Sequence, residues 1–187
     1  MKNFNLNQER TNENRLRNTI NWLIDITIAI VLAVFLVQNL GESIQITGSS
    51  MEPLLQSGDS VLVDKINYHF FSPKRLDLVA FQKEDAASKI YVKRVIGLPG
   101  ETVQIKEGTI YIDGEELYLE HLGYISLPGL ASEPIVLKKN EYFLLGDNME
   151  SSEDSRFSNI GNVTKKQMIG KIWFQIEPFD EIGFIKN

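Results

Sequence analysis

Two adjacent hydroxyls, Ser49 and Ser50, stand at a tight, proline-bounded turn in the stretch ITGSSMEPLLQSGDSVLV. A serine hydroxyl becomes a nucleophile only where a base can take its proton. The chain has two histidines, His69 and His121, far apart in sequence and without metal-ligand spacing. Both read as ordinary surface or packing residues, which argues against a Ser-His-Asp triad. A lysine can replace the imidazole if removal from water lowers its pKa towards neutrality. The stretch IYVKRVIGLPGE offers a candidate, because Lys93 and Arg94 interrupt an otherwise apolar strand. Neighbours on a strand point to opposite faces, so one shares a row with Tyr91 and Val95 and the other with Val92 and Ile96. Alternation alone does not choose between them. A third cluster, LLGDNMESSEDSRFSNIG, places Ser151, Ser152, Asp154, Ser155 and Arg156 after a Gly-Asp-Asn turn. Asp154 and Arg156 read there as a local ion pair that pins the loop.

These groups need elements to bring them together. A chain of 187 residues holds one domain of ordinary size plus an appendage. Its net charge of −6 argues against a nucleic-acid binder. It has no cysteine, so disulfides, thiolate catalysis and cysteine-based metal sites are excluded. From Ile20 to Leu40 runs an apolar segment long enough for a bilayer core, which needs ~20 helical residues. Asp25 is its one flaw, little more than a turn from the amino-terminal end. Lys2, Arg10, Arg15 and Arg17 precede the span, and the first basic residue after it is Lys65. The positive-inside rule therefore puts the amino terminus in the cytoplasm and the rest outside. A cleaved secretory leader ending near Gly41-Glu42-Ser43 is the competing reading, opposed by the long, partly acidic stretch Met1–Thr19.

After Gly41 the pattern turns to short β-branched or aromatic runs bounded by Gly, Pro, Asp and Asn. Strands are expected at Ser60–Val63, Leu76–Phe81, Ile90–Ile96, Thr102–Ile105, Thr109–Ile112, Ile135–Leu137, Tyr142–Leu145 and Lys171–Ile176. VQIKEGTIYIDGE reads as a hairpin turning at Lys106-Glu107-Gly108 and reversing again at Asp113-Gly114. Thr164–Met168 has room for one helical turn. Tyr68-His69-Phe70-Phe71 is read either as a cap on the core or as rings for a membrane interface. The expectation is a mainly β domain of short, largely antiparallel strands, closed or nearly so, behind one transmembrane helix.

In this order, and behind a single span, the clusters resemble type I signal peptidases in their compact, single-span form. The resemblance runs from Ile20 to about Lys171 and rests on GSSMEPLLQSGDSVLV, KRLDLVAF, YVKRVIGLPGE and GDNMESSEDSRFSNIG. It implies that Ser50 is the nucleophile and Lys93 the general base, which settles what alternation left open. It further implies that Ser152 positions the lysine amine, that Asp154 and Arg156 support the loop, and that the Ser50 amide serves the oxyanion. Gly48 stands where some members carry a serine that adds an oxyanion donor. Leu54 and Met149 also depart from residues frequent in the family. No metal or cofactor is implied.

The implied organisation is a cytoplasmic tail over residues 1–19, an anchor over 20–40 and an extracytoplasmic catalytic domain over 41–187. The implied partners are exported preproteins, cut after small-x-small sites, and the lipid bilayer. Nothing in the residues fixes an oligomeric state. Two rivals are a Ser-Lys processing peptidase dedicated to one exported substrate and an inactive anchored module that binds precursors.

Overall fold

A computed structural model describes residues 2–83, 89–119 and 122–185. His121 lies outside the described residues. The chain divides into two units, one ending at Leu40 and one beginning at Gly41. The first is a single helix, α1 (Lys2–Leu40), about 58 Å long at 1.5 Å per residue. It is apolar enough to cross a membrane over Arg15–Phe35, and its side chains there are exposed. The helix continues through the polar segment before Ile20.

The second unit is β. β1 (Gly41–Gln45), β2 (Ser60–Asp64), the one-turn helix α2 (Asn67–Phe70), β3 (Leu78–Gln82) and β4 (Ile90–Gly97) come first. β5 (Thr102–Lys106), β6 (Thr109–Ile112), β7 (Glu115–Leu117) and β8 (Ile135–Val136) follow. β9 (Glu141–Leu145), β10 (Val163–Thr164), β11 (Met168–Glu177) and β12 (Gly183–Phe184) complete it. The larger sheet runs β1-β2-β11-β3-β4-β9-β10, with β12 added to β11, and the smaller runs β7-β6-β5-β8. Every ladder is antiparallel. No ladder joins β1 to β10 among the described residues, so the larger sheet is open rather than closed.

β3 and β9 read as nearly continuous apolar runs, and β4 as one interrupted only by Lys93 and Arg94, because both of their faces are covered. Leu78 and Ala80 of β3 pack with Ile44, Ile46, Met51 and Leu55, whereas Val79 and Phe81 pack with Tyr142, Leu144 and Val163. Ile96, Phe143 and Leu145 reach a third cluster with Val103, Ile105 and Leu137, which joins the smaller sheet to the larger. Each fully buried side chain of this kind contributes ~1.5–3 kcal/mol.

β3 begins two residues later than the apolar run indicates. Leu76 takes a positive φ of 71°. Lys74 donates its N–H to the Asp77 carboxylate at 2.9 Å, and the Asp77 N–H returns to Lys74 O at 3.1 Å, so the chain turns before it pairs. The hairpin forms as expected, around Glu107 (φ 48°) and Gly108 (φ 79°), and Asp113-Gly114 repeats the geometry. Positive φ at both central residues matches the twist of the flanking strands.

Thr164–Met168 holds a single 3-10 turn at Lys165–Gln167, closed by Gln167 Oε1, which accepts from both the backbone and the hydroxyl of Thr164. The aromatic loop divides. Tyr68 is buried in the core and donates to Asp77, while Phe70 and Phe71 are exposed.

Candidate active site

The turn that carries Ser50 is fixed from beneath and from both ends. Ile44 and Ile46 before it, and Met51 and Leu55 within it, are buried in one cluster with β2, β3 and β4. The Leu55 N–H donates to Met51 O at 3.0 Å, and the Glu52 N–H to Ser49 O at 3.2 Å. Ile46 donates to Asp59 O at 2.7 Å and Gly58 to Ile46 O at 2.9 Å, which closes the loop on itself. The core thus holds the apolar flanks and leaves the hydroxyl half-exposed. Gly48 has a φ of 89°, a left-handed conformation in which a serine would be strained. Its amide donates to Ser57 Oγ at 3.3 Å.

Lys93 lies mid-strand in β4, opposite Val79 of β3, and is 3% exposed. Its Nζ is 2.7 Å from Ser50 Oγ and 3.0 Å from Val92 O. Burial pushes the Lys93 pKa down to about 8, and the charge of Asp154 opposes that fall only in part. An amine with such a pKa is neutral in about a tenth of molecules at pH 7, far more than an ordinary lysine. It can then accept the serine proton along the same 2.7 Å contact.

Arg94, on the other side of the strand, is equally buried but has a partner. Its Nε and Nη2 donate to the two carboxylate oxygens of Asp147 at 2.8 and 2.6 Å. Asp147 belongs to the turn after β9, and the next amide, that of Asn148, donates to Ser50 O at 3.1 Å. The lysine strand, the Gly-Asp-Asn turn and the serine turn are therefore joined through one buried ion pair and one backbone hydrogen bond.

Asp154 and Arg156 form the second buried pair, with no side-chain exposure on either. Arg156 donates to both Asp154 oxygens at 2.8 and 2.9 Å and to Met149 O at 3.0 Å. The Gly146 amide donates to Asp154 at 3.1 Å, and Ser155 exchanges bonds with Leu144. The pair is a desolvated brace for residues 146–156, not the solvated contact that a polar loop implies. Ser152 Oγ is buried in this loop without a hydrogen-bond partner among the described residues. The second contact of Lys93 is its neighbouring carbonyl, not Ser152. Leu54 and Met149, the departures from the family pattern, are partly buried against the core.

Ser50 and Lys93 open on a cleft of about 750 Å³. One wall is residues 42–51, another is residues 89–93, and Ser151 and Glu153 complete it. Among the described residues, β1 pairs only with β2, and β4 pairs with β9 only from Arg94 onward. Both walls therefore present strand edges to the cleft.

Sequence motifs single out Ser50, Lys93, Ser152, Asp154 and Arg156, of which the structure brings Ser50 to Lys93 and Asp154 to Arg156, but they do not single out the Arg94–Asp147 pair or β1. An arginine beside a lysine in an apolar strand, with an aspartate closing the neighbouring strand, is the signal for the first. For the second, Ile44 and Ile46 alternate with polar residues. Charges on the cleft wall, Lys89 and Glu153 at 3.7 Å, carry no sequence signal.

The chain matches the family model for signal peptidase, peptidase S26, over residues 19–176. It is similar to signal peptidase I T of Bacillus subtilis (strain 168), at 38% identity over 95% of each chain. Signal peptidase IB of Staphylococcus aureus (strain MRSA252) is 32% identical over 91% of this chain and 96% of its own. A solved signal peptidase I from Enterococcus faecalis V583 shares 28% identity over 54% of this chain and 97% of its own, with a TM-score of 0.44. A pattern that spans both the apolar helix and the β unit, shared almost end to end with such relatives, has one meaning: this chain belongs to the signal peptidase family, peptidase S26.

Proposed function

We propose that this protein is a membrane-anchored serine endopeptidase that removes signal peptides from exported preproteins, with Ser50 as nucleophile and Lys93 as general base. The observation that carries the reading is the 2.7 Å contact between Lys93 Nζ and Ser50 Oγ, at the floor of a cleft with strand edges in its walls. Neutral Lys93 takes the Ser50 proton as Oγ attacks the scissile carbonyl carbon. The tetrahedral intermediate collapses as the C–N bond breaks and the Lys93 ammonium returns the proton to the leaving amine. A water then attacks the acyl-enzyme, giving a proton to Lys93. The lysine hands it to Ser50 Oγ as the carboxylic acid product leaves. The Ser50 amide donates to the oxyanion. Ser152, with its hydroxyl unengaged, turns to the lysine amine once that amine is neutral.

The substrate lies extended between β1 and residues 89–93, pairing as an added strand. Ile44, Ile46 and Val92 line the cleft and support shallow apolar pockets that admit small side chains at the two alternate positions before the cut. Residues 1–19 form the cytoplasmic tail, 20–40 the anchor and 41–187 the extracytoplasmic catalytic domain. The apolar stretch of α1, together with the family membership, supports anchoring. Anchoring enzyme and precursor in one bilayer raises their effective concentration.

The test is cleavage of a purified preprotein in detergent by wild type, Ser50→Ala and Lys93→Ala, with the new amino terminus mapped by mass spectrometry. A cut after a small-x-small site by wild type alone supports the reading. Cleavage by Ser50→Ala, or none by folded wild type across several preproteins, refutes it.

A further inference from the structure

A substrate bond held at Ser50 has chain on both sides, and the cleft above accounts for only one of them. A second hollow of about 540 Å³ begins where that cleft ends. The cleft is lined up to Met51 on the serine turn and by Ser151 and Glu153 on the catalytic loop. The hollow takes over at Glu52 and Pro53 on that turn and at Asn148, Met149 and Glu150 on that loop, with Tyr124 beside them. Asn148, which lines the hollow, donates its amide to Ser50 O, so the hollow borders the turn that carries Ser50. Among the described residues, no lysine or arginine lines the hollow. Of its three carboxylates, that of Asp147 is taken up by Arg94. Glu52 and Glu150 enter no ion pair among the described residues.

We propose that this hollow receives the substrate residues immediately after the scissile bond, and that Glu52 and Glu150 make it select basic over acidic side chains there. The proposal rests on the reading above, in which the residues before the cut occupy the apolar cleft. Catalysis needs the leaving chain to pass Ser50 without folding back over Lys93, and the hollow is the depression that adjoins the Ser50 turn on that side. Two carboxylates there, unneutralised and partly hydrated, attract a lysine or arginine side chain and repel an aspartate or glutamate. The interaction is exposed and hence modest, but two such charges on one short segment act together.

The experiment uses the full chain in detergent and three preproteins identical through the cleavage site. The second and third residues after the cut are Lys-Lys, Gln-Gln or Glu-Glu. The expected kcat/KM of the basic over the acidic substrate is about three- to tenfold. Glu52→Gln with Glu150→Gln brings that ratio close to one. Glu52→Gln with Glu150→Lys, the latter at an exposed position, leaves one positive charge and reverses its direction. The ratio is the readout, so a general loss of rate does not imitate the result. If wild type cuts the Gln-Gln substrate but shows no charge dependence, or if the ratio survives the double substitution and the reversal, the proposal is overturned alone. If wild type cuts none of the three, the proposed function falls and the inference with it.

Discussion

Lys93 and Arg94 are consecutive in β4 and almost equally buried, yet only Arg94 has a carboxylate in contact. Arg94 is neutralised by Asp147 at 2.6 Å, whereas the contacts of Lys93 are a hydroxyl and a carbonyl. One strand thus carries two buried basic side chains under opposite regimes: one is paired with a counter-charge, the other is penalised as a charge, as the proposed role of a base requires.

The first consequence is a pH profile. With the Lys93 pKa pushed down to about 8, log kcat/KM rises with a slope near +1 below that pH and levels above it. Steady-state cleavage from pH 6 to 10 checks this. A flat profile across the range refutes a titrating amine in the chemical step. Lys93→Arg abolishes turnover, since guanidinium keeps its proton at any usable pH.

The same shift has a signature in stability. Between pH about 8 and 10.5 the unfolded lysine is protonated and the folded one is not. The unfolded state then binds more protons, so stability rises with pH through this window. Relative to Lys93→Met, wild type gains about 3 kcal/mol from the lower to the upper end, on 1.36 kcal/mol per pKa unit. Urea unfolding of both proteins at pH 7.5 and 10.5 measures the difference.

Asp147→Asn leaves the Arg94 guanidinium buried without its counter-charge, at a cost of about 3–5 kcal/mol in urea unfolding. Arg94→Met combined with Asp147→Leu recovers most of that stability. It does not recover the rate, because the Asn148 amide that holds Ser50 O depends on this turn. Recovery of both stability and kcat would show that the pair does not position the serine.

Gly146 packs against the site so closely that a methyl group there would come within 2.5 Å of the Ser50 carbonyl oxygen and closer still to Ser152 Oγ. Gly146→Ala should lower kcat on the order of a hundredfold, the scale of an ångström-sized misplacement of a catalytic group. Gly183→Ala, where the space is open, should leave kcat unchanged.

Ser152 Oγ is buried and unpartnered, so Ser152→Ala removes no hydrogen bond and relieves a desolvated hydroxyl. Thermal unfolding should show equal or slightly greater stability. If the hydroxyl orients the neutral lysine, kcat falls with KM unchanged; an unaltered kcat would remove it from the mechanism.

Most of the β architecture is legible in sequence because strands covered on both faces, such as LVAFQ and EYFLL, must be apolar throughout. β1, β7, β10 and β12 are not, because GESIQ, EEL, VT and GF are too short or too polar to stand out from loops. Their pairing is decided by neighbours far along the chain. Ser50 and Lys93, the proposed nucleophile and base, are singled out by their motifs. The burial of Asp154 and Arg156 is not, since local composition describes a polar loop and only tertiary packing removes water from it. Arg94 is ambiguous for the same reason: alternation gives its face, but its partner lies on another strand.

The braces of residues 146–156 also settle what the surrounding medium can disturb. Mobile ions screen charges through solvent, over about 8 Å at physiological ionic strength. Arg156 and Asp154 have no side-chain exposure, and Arg94 and Asp147 have 2% and 3%. Lys89 and Glu153 on the cleft wall have 59% and 61%. Added salt therefore loosens the cleft wall and leaves the geometry around Ser50 unchanged. Brine alters how a precursor approaches this enzyme, not how its bond is broken.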